Sequence, residues 1–545
     1  MPTYSYPRYA VSPVRDAGAR HPIVVVGGGM VGLTIALDLA RRGQWVVMLD
    51  DDDTVSVGSR AICISKRSLE IYSRLGIGRQ LLSKGVTWNT GKVFFRDRLV
   101  YEFNLLPEAG HEFPAFVNLQ QYYLEQWLVE ACQATGLVDL RWKNRVVGVE
   151  KNADGATLTV ETPVQTYKLT ADWLLACDGA HSAVRESLGL PFSGRVFHDR
   201  FLIADIVMHA DWPAERRFWF DPPFHSGGSA LLHRQADDVW RLDFQLGWDA
   251  DPEAEREPER VKARVQAMLG TREKFEIEWV SVYTFRCRRL EKFRHGRTFF
   301  LGDAAHQVSP FGARGGNGGT HDADNLGWKL DAVLRGIAPE SLLDSYDAER
   351  IPAADENILN STRSTDFITP KNEAARAYRD AVLELSARYA FARPLVNSGR
   401  LSRPAVLRDS PLNTPDEEPW DGGVAPGAPG VDAPVRHGGN DDWLLHHVEG
   451  FTLLLFGRRG DFPVAIPRNL GVRPVFVSPL SEPGALHDHT GLAAARYAAQ
   501  PGTAVLLRPD QHVSARWRRY HTDAIAEARL TALGIPAVAA QRRAG

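Results

Sequence analysis

The chain has 545 residues, with 64 Lys and Arg against 67 Asp and Glu, a formal net charge of -3. That length is too great for one core and predicts two to four domains, while the near balance of charge excludes nucleic acid or an anionic membrane as a partner held by bulk electrostatics. Apolar residues make up 44% and charged residues 24%, ordinary for a soluble globular protein. The four cysteines, Cys63, Cys132, Cys177 and Cys287, form no C-x-x-C pair, so no metal site and no dithiol chemistry is expected, and a reducing cytoplasm fits.

Residues 1–21 hold prolines and tyrosines without a period and read as an N-terminal tail. Residues 22–40 are largely apolar but contain Gly27, Gly28, Gly29, Gly32 and Asp38, which suits a strand, turn and helix rather than a membrane span. Ile23-Val24-Val25-Val26 is a β-branched run of the kind a buried parallel strand requires. A helix over 31–42, ended by Gly43, and a strand over 45–49 complete a βαβ opening. Further on, the pattern predicts an amphipathic helix over 122–134, a hairpin pair over 158–162 and 167–170, and a separate buried strand over 173–176.

Between 200 and 290, strand-like runs at 201–208, 217–220, 229–233 and 240–246 predict a mostly antiparallel sheet inserted into the nucleotide domain. Residues 298–301 return to a core strand, and helices are expected over 320–334 and 373–391. The stretch 401–442, rich in Pro, Gly and Asp from residue 407 on, reads as a linker. Strands at 451–456 and 504–507 and a helix over 522–532 make a small separate α/β domain of residues 443–545. The fold class is thus α/β, with a Rossmann-type domain in two parts, 22–199 and 291–400, around the inserted sheet 200–290.

Three motifs carry chemistry. In Gly27-x-Gly29-x-x-Gly32, Gly27 permits the tight turn, Gly29 admits a pyrophosphate, and Gly32 lets helix pack on strand. Met30 and Val31 open a helix whose positive end faces the phosphates, and Asp50 ends the second strand, where an acid binds the adenosine ribose. In Cys177-Asp178-Gly179, followed by Ser182 and Arg185, Asp178 suits a strand-end turn before a capped helix. In Gly302-Asp303-Ala304-Ala305-His306, a strand delivers Asp303 at its end, and the loop 310–319, with Pro310, Gly312, Gly315, Gly316 and Asn317, lays backbone N–H groups before a helix opening at Thr320.

In this order the motifs resemble the class A flavoprotein monooxygenases, the FAD-dependent aromatic hydroxylases. Within them the chain is most similar to the subgroup of 3-(3-hydroxyphenyl)propionate hydroxylases and polyketide aromatic hydroxylases, over about 23–352 and a C-terminal extension. The resemblance implies the para-hydroxybenzoate hydroxylase fold, with Asp303 on the ribityl chain and Pro310, Gly312, Gly315, Gly316 and Asn317 around the pyrimidine edge of the isoalloxazine. Asp178 would serve both FAD and NAD(P)H. Arg60, in Ser59-Arg60-Ala61, and Gln121 would touch FAD, although Gln120 stands where the family has proline. The C-terminal domain would be thioredoxin-like without active cysteines, and the chain a homodimer.

The activity so implied is hydroxylation of a phenolic aromatic substrate with NADPH or NADH and O2, through a flavin C4a-hydroperoxide. Loss of the phenol proton calls for a base, and His225, His233, Tyr283 and Arg286 of the inserted sheet are the candidates, with Pro310 counted beside the reacting flavin. Phe218, Trp219 and Phe220 could line a pocket, with at least one of them facing away. The alternatives are another FAD-dependent oxidoreductase (an oxidase, a dehydrogenase or a halogenase) or a non-catalytic flavin binder. No halogenase W-x-W-x-I-P signature is present.

Overall fold

The computed structural model of the chain describes residues 4–14, 16–271, 273–396, 401–463 and 465–536. Parts of the expected domains, 1–3, 397–400 and 537–545, lie outside the described residues. The elements that build the site begin with β1 (Arg20–Val26), α1 (Met30–Arg41), β2 (Val46–Leu49), α2 (Lys66–Arg74), β3 (Thr90–Phe95), α3 (Gln121–Thr135) and β4 (Thr166–Ala176). They continue with β5 (Phe192–Val207), β6 (Arg216–Phe220), β7 (Ser229–Arg234), β8 (Val239–Gln245), β9 (Glu276–Leu290), β10 (Thr298–Phe300), α4 (Gly315–Leu334) and α5 (Ser345–Ile368).

The core of the eight-stranded first sheet runs β10, β4, β1, β2 and then Val138–Arg141, these five parallel, with Val24 opposite both Leu174 and Val47; Arg294–His295, Gly155–Glu161 and Arg145–Asn152 add to it antiparallel. Ile23 to Val26 are buried on both faces, which is why this strand is a continuous β-branched run rather than an alternating one. At its end Gly27 has φ of +102°, and a Cβ there would sit 2.4 Å from the Cys177 carbonyl. A Cβ on Gly32 would sit 1.9 Å from the Gly27 carbonyl, so the strand-helix turn closes only on glycine.

The second sheet has eight strands in the order His306–Gln307, β9, β5, β8, β7, β6, β3, Arg98–Asn104, antiparallel except where β6 meets β3. Side chains two apart share a face. Leu202, Ala204, Leu232, Leu242 and Phe244 point one way and pack on Val261 and Val265 of the helix Pro258–Leu269. Ile203, Leu231, His233, Arg241, Asp243, Ser281 and Tyr283 point the other way, and the pairs Leu231–Asp243, His233–Arg241 and Ile203–Asp243 lie directly opposite across strands.

A third, seven-stranded sheet is built from residues 434–517. It is tied to the first domain through buried charge. Lys329 of α4 and Glu349 of α5 form an ion pair of 2.6 Å with both side chains sealed from water. Arg508, fully buried in the C-terminal unit, binds Glu349 and also Asp510 at 2.7 Å. Arg67 of α2 donates to the Asp510 carbonyl at 2.7 Å and to Gln511 at 3.1 Å.

Several elements differ from the sequence reading. Residues 166–176 are one strand, because the hairpin strand continues unbroken into the core. The inserted sheet starts at Phe192 rather than 200 and recruits 90–104, whose parallel contact with β6 no local pattern announces. Helix α4 opens at Gly315 rather than Thr320: packing overrides the low helix propensity of its glycines. Helix α5 carries Pro352 inside it, which hid its period. The expected linker is packed, with Leu407 and Leu412 buried, and its end, Pro434–His437 with Asn440–Trp443, is a hairpin of the third sheet. The opening tail is packed as well: Tyr4 stacks on Tyr122 at 4.1 Å and Tyr9 on Trp142 at 4.4 Å.

Replacing Arg508 by Met leaves Glu349 and Asp510 buried without their shared partner, and should cost about 3–5 kcal/mol. A thermal melt checks this against Arg436→Ala, whose pair with Asp441 is exposed and should cost little.

Candidate active site

The two sheets and the start of α4 enclose a cavity of about 540 Å³. One wall is backbone: Gly315, Gly316 and Asn317 of the α4 N-terminus, with Met30 of α1 nearby. The unsatisfied N–H groups and dipoles of helix N-termini favour negative charge. The opposite wall is the sheet face carrying Ile203, Leu231, His233, Asp243, Ser281 and Tyr283, closed by Phe285 and Phe311. Arg60, Gln121, Asp303 and Pro310 line the remaining sides.

Each lining residue has a reason to be where it is. Asp303 follows β10 and its carboxylate opens into the cavity, accepting no hydrogen bond from a described residue. The depth of the cavity pushes its carboxyl up, opposed by His306 and Arg60. Asn317 is spent on the backbone: its Oδ1 accepts from Ser65 N at 3.0 Å, and its Nδ2 donates to the Cys63 carbonyl at 2.9 Å. Gln121 accepts from Ala61 N at 3.0 Å and donates to Glu125 at 2.8 Å, so it braces the loop that carries Arg60. Arg241 grips Asp205 at 2.8 Å through two nitrogens and donates to the carbonyls of Ser59 and Arg60, holding the same loop from the sheet side. Asp322 of α4 accepts from Gly302 N at 3.0 Å, His306 at 2.7 Å and Arg350 at 2.7 Å, which locks the Asp303 turn onto the helix.

Gly27, Gly29, Val31, Gly32 and Asp50 form the strand-helix turn beyond this cavity, and Asp50 accepts from the Gly28 N–H. Burial pushes the Asp50 carboxyl up to about 6, opposed by the N–H groups of Gly28 and Asp52. Gly312 lies in a satellite cavity of about 60 Å³ with Phe218 and Phe220; Trp219 faces the other way and stacks on Phe94 at 5.0 Å.

Two sequence-derived residues stand apart. Asp178 does not line the cavity; its Oδ2 accepts from Val184 N at 3.0 Å in the first turn of the short helix Ala183–Ser187, which Ser182 caps, and its buried Oδ1 has no partner among the described residues. His225 lies in a different cleft, beside Trp248 and Lys371, with its Nε2 on the Gln245 carbonyl at 2.6 Å, because it follows β6 beyond the turn rather than sitting on the cavity face. His233, Tyr283, Arg286 and Pro310 do line the cavity. Burial raises the Tyr283 hydroxyl, with Arg60 opposing, and burial beside Arg216 and Arg241 holds His233 well below the usual imidazole range.

Sequence reasoning missed Arg216, Arg241, Asp243 and Glu125. The first three meet only through strand register. Glu125 is fully buried and accepts from Met30 N at 3.1 Å and Ser56 N at 2.7 Å. Its only signal was an acid one turn after Gln121 on the α3 face. Elsewhere, ligand atoms of His437, Asp442 and His447 come within 4.8 Å of one another where no metal site was expected; Asp442 accepts from His447 at 2.9 Å, and the His437 ring lies edge-on to that of His447 at 4.9 Å.

The donor set fits FAD: glycine-closed turns, helix N-termini against the cavity, and an Asp303 carboxylate without a partner among the described residues. The family model described as FAD binding domain matches residues 20–361, more than half of the chain. This chain is a class A flavin hydroxylase of that FAD-binding family. The hydroxylase is 30% identical to a 6-methylpretetramide 4-monooxygenase of Streptomyces rimosus, over 94% of this chain and 93% of that protein. It is 28% identical to a 3-(3-hydroxy-phenyl)propionate/3-hydroxycinnamic acid hydroxylase of Mycolicibacterium smegmatis, over 66% of this chain and 64% of the relative. In fold it is similar to the flavin-dependent monooxygenase PieE, solved with FAD and substrate: TM-score 0.82, 23% identity, 95% of this chain and 99% of that one.

Asp303→Ala should weaken FAD binding about 5- to 150-fold, the worth of ~1–3 kcal/mol of hydrogen bonding, while leaving the melting temperature of the apoprotein near wild type. Flavin fluorescence titration checks it. Asp322 carries a sign-definite pH effect, since His306 and Arg350 hold its carboxyl down to about 2 against an ordinary 3.8. Its stabilisation is complete above about pH 4 and is lost as the pH falls toward 2, a total of ~2 kcal/mol. Asp322→Asn should flatten that part of an acid-unfolding curve.

Proposed function

We propose that the hydroxylase inserts one atom of dioxygen into a phenolic aromatic ring, with FAD as resident cofactor and NADPH or NADH as transient reductant. The observation that carries this reading is the cavity itself, lined on one side by the α4 N-terminus and on another by a sheet face bearing polar groups. Bound FAD supplies hydride acceptance and dioxygen activation there.

The protein's own residues do the rest. The α4 N–H groups and dipole favour negative charge at the ring edge they face. Phe285, Phe311, Leu231 and Ile203 exclude water, which suppresses wasteful loss of reducing equivalents as peroxide. The phenol proton can pass to Asp243 on the cavity face, whose carboxyl burial raises to about 6; Tyr283, protonated because burial raises its hydroxyl, can donate a hydrogen bond to the developing phenolate. Relatives named for tetracycline-pathway compounds favour a fused-ring phenol over a single ring. The C-terminal unit is read as thioredoxin-like: parallel strands Thr452–Phe456 and Arg473–Ser478 beside antiparallel Thr503–Leu507 and Val513–Trp517, with no cysteine after Cys287. By the same resemblance, the molecule is a cytoplasmic homodimer.

The test is turnover under isotope-labelled dioxygen with phenols that stimulate NAD(P)H oxidation. One labelled oxygen in a ring hydroxyl is the expected result. Reducing equivalents recovered wholly as peroxide across a broad phenol panel would instead mark an oxidase.

A further inference from the structure

The cluster of His437, Asp442 and His447 lies in the C-terminal unit, and none of the three lines the cavity. Local backbone geometry brings them together. Pro434–His437 and Asn440–Trp443 are the strands of a hairpin, turned by Gly438 and Gly439, both at positive φ. Val435 stands opposite Asp442 and shares a face with His437, so His437 and Asp442 are diagonal neighbours on one face. The chain then enters the 3-10 turn Leu444–His447, anchored by the buried Leu444 and Leu445. That turn sets His447 Nε2 against Asp442 Oδ2 at 2.9 Å.

The surroundings are those of a held ligand set rather than of a salt bridge. Asp442 pairs with no Lys or Arg among the described residues; its charge partners are His446 and His447. Arg436, on the other face of the hairpin, is matched by Asp441. The two oxygens of Asp442 are used differently. Oδ1 accepts from Trp443 N at 2.8 Å and meets His446 Nδ1 at 2.8 Å, while Oδ2 faces His447. His446 in turn meets Glu112 through Nε2 at 2.9 Å, so the carboxylate is oriented from behind, as ligating carboxylates are. His437, exposed near the hairpin tip, makes no hydrogen bond with a described residue, and its ring stands edge-on to that of His447.

Two imidazoles and one carboxylate select the ion. Calcium and magnesium want oxygen ligands, whereas imidazole suits zinc, copper and nickel. Zinc holds nitrogen and oxygen at about 2.0–2.2 Å, which sets its ligand atoms roughly 3–4 Å apart. The Asp442–His447 spacing is already close to that, and rotation of the exposed His437 closes the rest.

We propose that His437, Asp442 and His447 bind one divalent ion of the zinc class, with water as the fourth ligand. The ion takes the place of the hydrogen between Asp442 and His447 and pins the hairpin tip to the turn behind it. Its effect reaches the FAD-binding part of the chain. Glu112, at the end of the His446 relay, belongs to a segment that Arg496 of the C-terminal unit also grips, at the carbonyls of Ala109 (2.7 Å) and Gly110 (2.5 Å). The site is a fastening between the two units, and it stands or falls separately from the hydroxylase reading.

The test uses the tag-free, FAD-loaded protein, treated with a chelator, desalted and titrated with zinc against a chromophoric indicator. Wild type should take up one zinc per chain and melt at a higher temperature with it. Cobalt in place of zinc should give the strong visible band of a four-coordinate ion. His437→Ala and Asp442→Asn should abolish this uptake, with FAD content and the zinc-free melting temperature confirming each fold; His437, being exposed, is the safer substitution. His446→Ala, which removes only the support behind Asp442, should weaken binding about 10- to 100-fold. His487→Ala with His489→Ala, a second histidine pair with rings 6.0 Å apart, should change nothing. No stoichiometric zinc in wild type, uptake that survives His437→Ala, or uptake lost with His487 and His489 instead, overturns the assignment and leaves adventitious binding by surface histidines only.

Discussion

Helix α4 carries Asp322, Asn325 and Lys329 where water does not reach, and the geometry of the site depends on matching them. A buried charge without a partner costs several kcal/mol, so each must be answered from a different direction. Asp322 is answered by His306 and Arg350, and Lys329 by Glu349 of α5, which in turn needs Arg508 of the C-terminal unit. The helix whose N-terminus forms the cavity wall is thereby fixed in rotation and depth by three parts of the chain. This explains how a run of glycines, poor helix formers, is held as the first turn of a 20-residue helix. It also makes the C-terminal unit part of the structural support of the site, although none of its described residues lines the cavity.

What was legible in the sequence was local. The β-branched strand before Gly27, the acid at Asp50 and the Asp303 turn each declare themselves within a few residues, because turn geometry and strand burial act at that range. Asp303, Arg60 and Gln121 line the cavity, while Asp178 braces the first turn of a short helix and His225 belongs to another cleft. What was not legible was register. Whether His233 meets Arg241 is set by the pairing of β7 with β8, and no spacing within either strand reveals it. Glu125 reaches back 95 residues to the N–H of Met30.

The two walls of the cavity divide the work. The helix side offers backbone N–H groups and little side-chain chemistry, as suits a cofactor that must be held without being altered. The sheet side offers Arg216, His233, Asp243 and Tyr283 on adjoining strands, where single substitutions can change what is recognised without moving the backbone. Loop 59–61 lies between the walls and is held from both, by Gln121 and by Arg241.

The most direct measurement of this account is a crystal structure of the protein with FAD bound. The isoalloxazine should lie in the cavity, with its pyrimidine edge against Gly315 and Gly316, Asp303 on the ribityl chain, and open space left before Tyr283, His233 and Arg216. A flavin ring bound outside this cavity, or FAD seated with no contact to Asp303 or the α4 N-terminus, would contradict it.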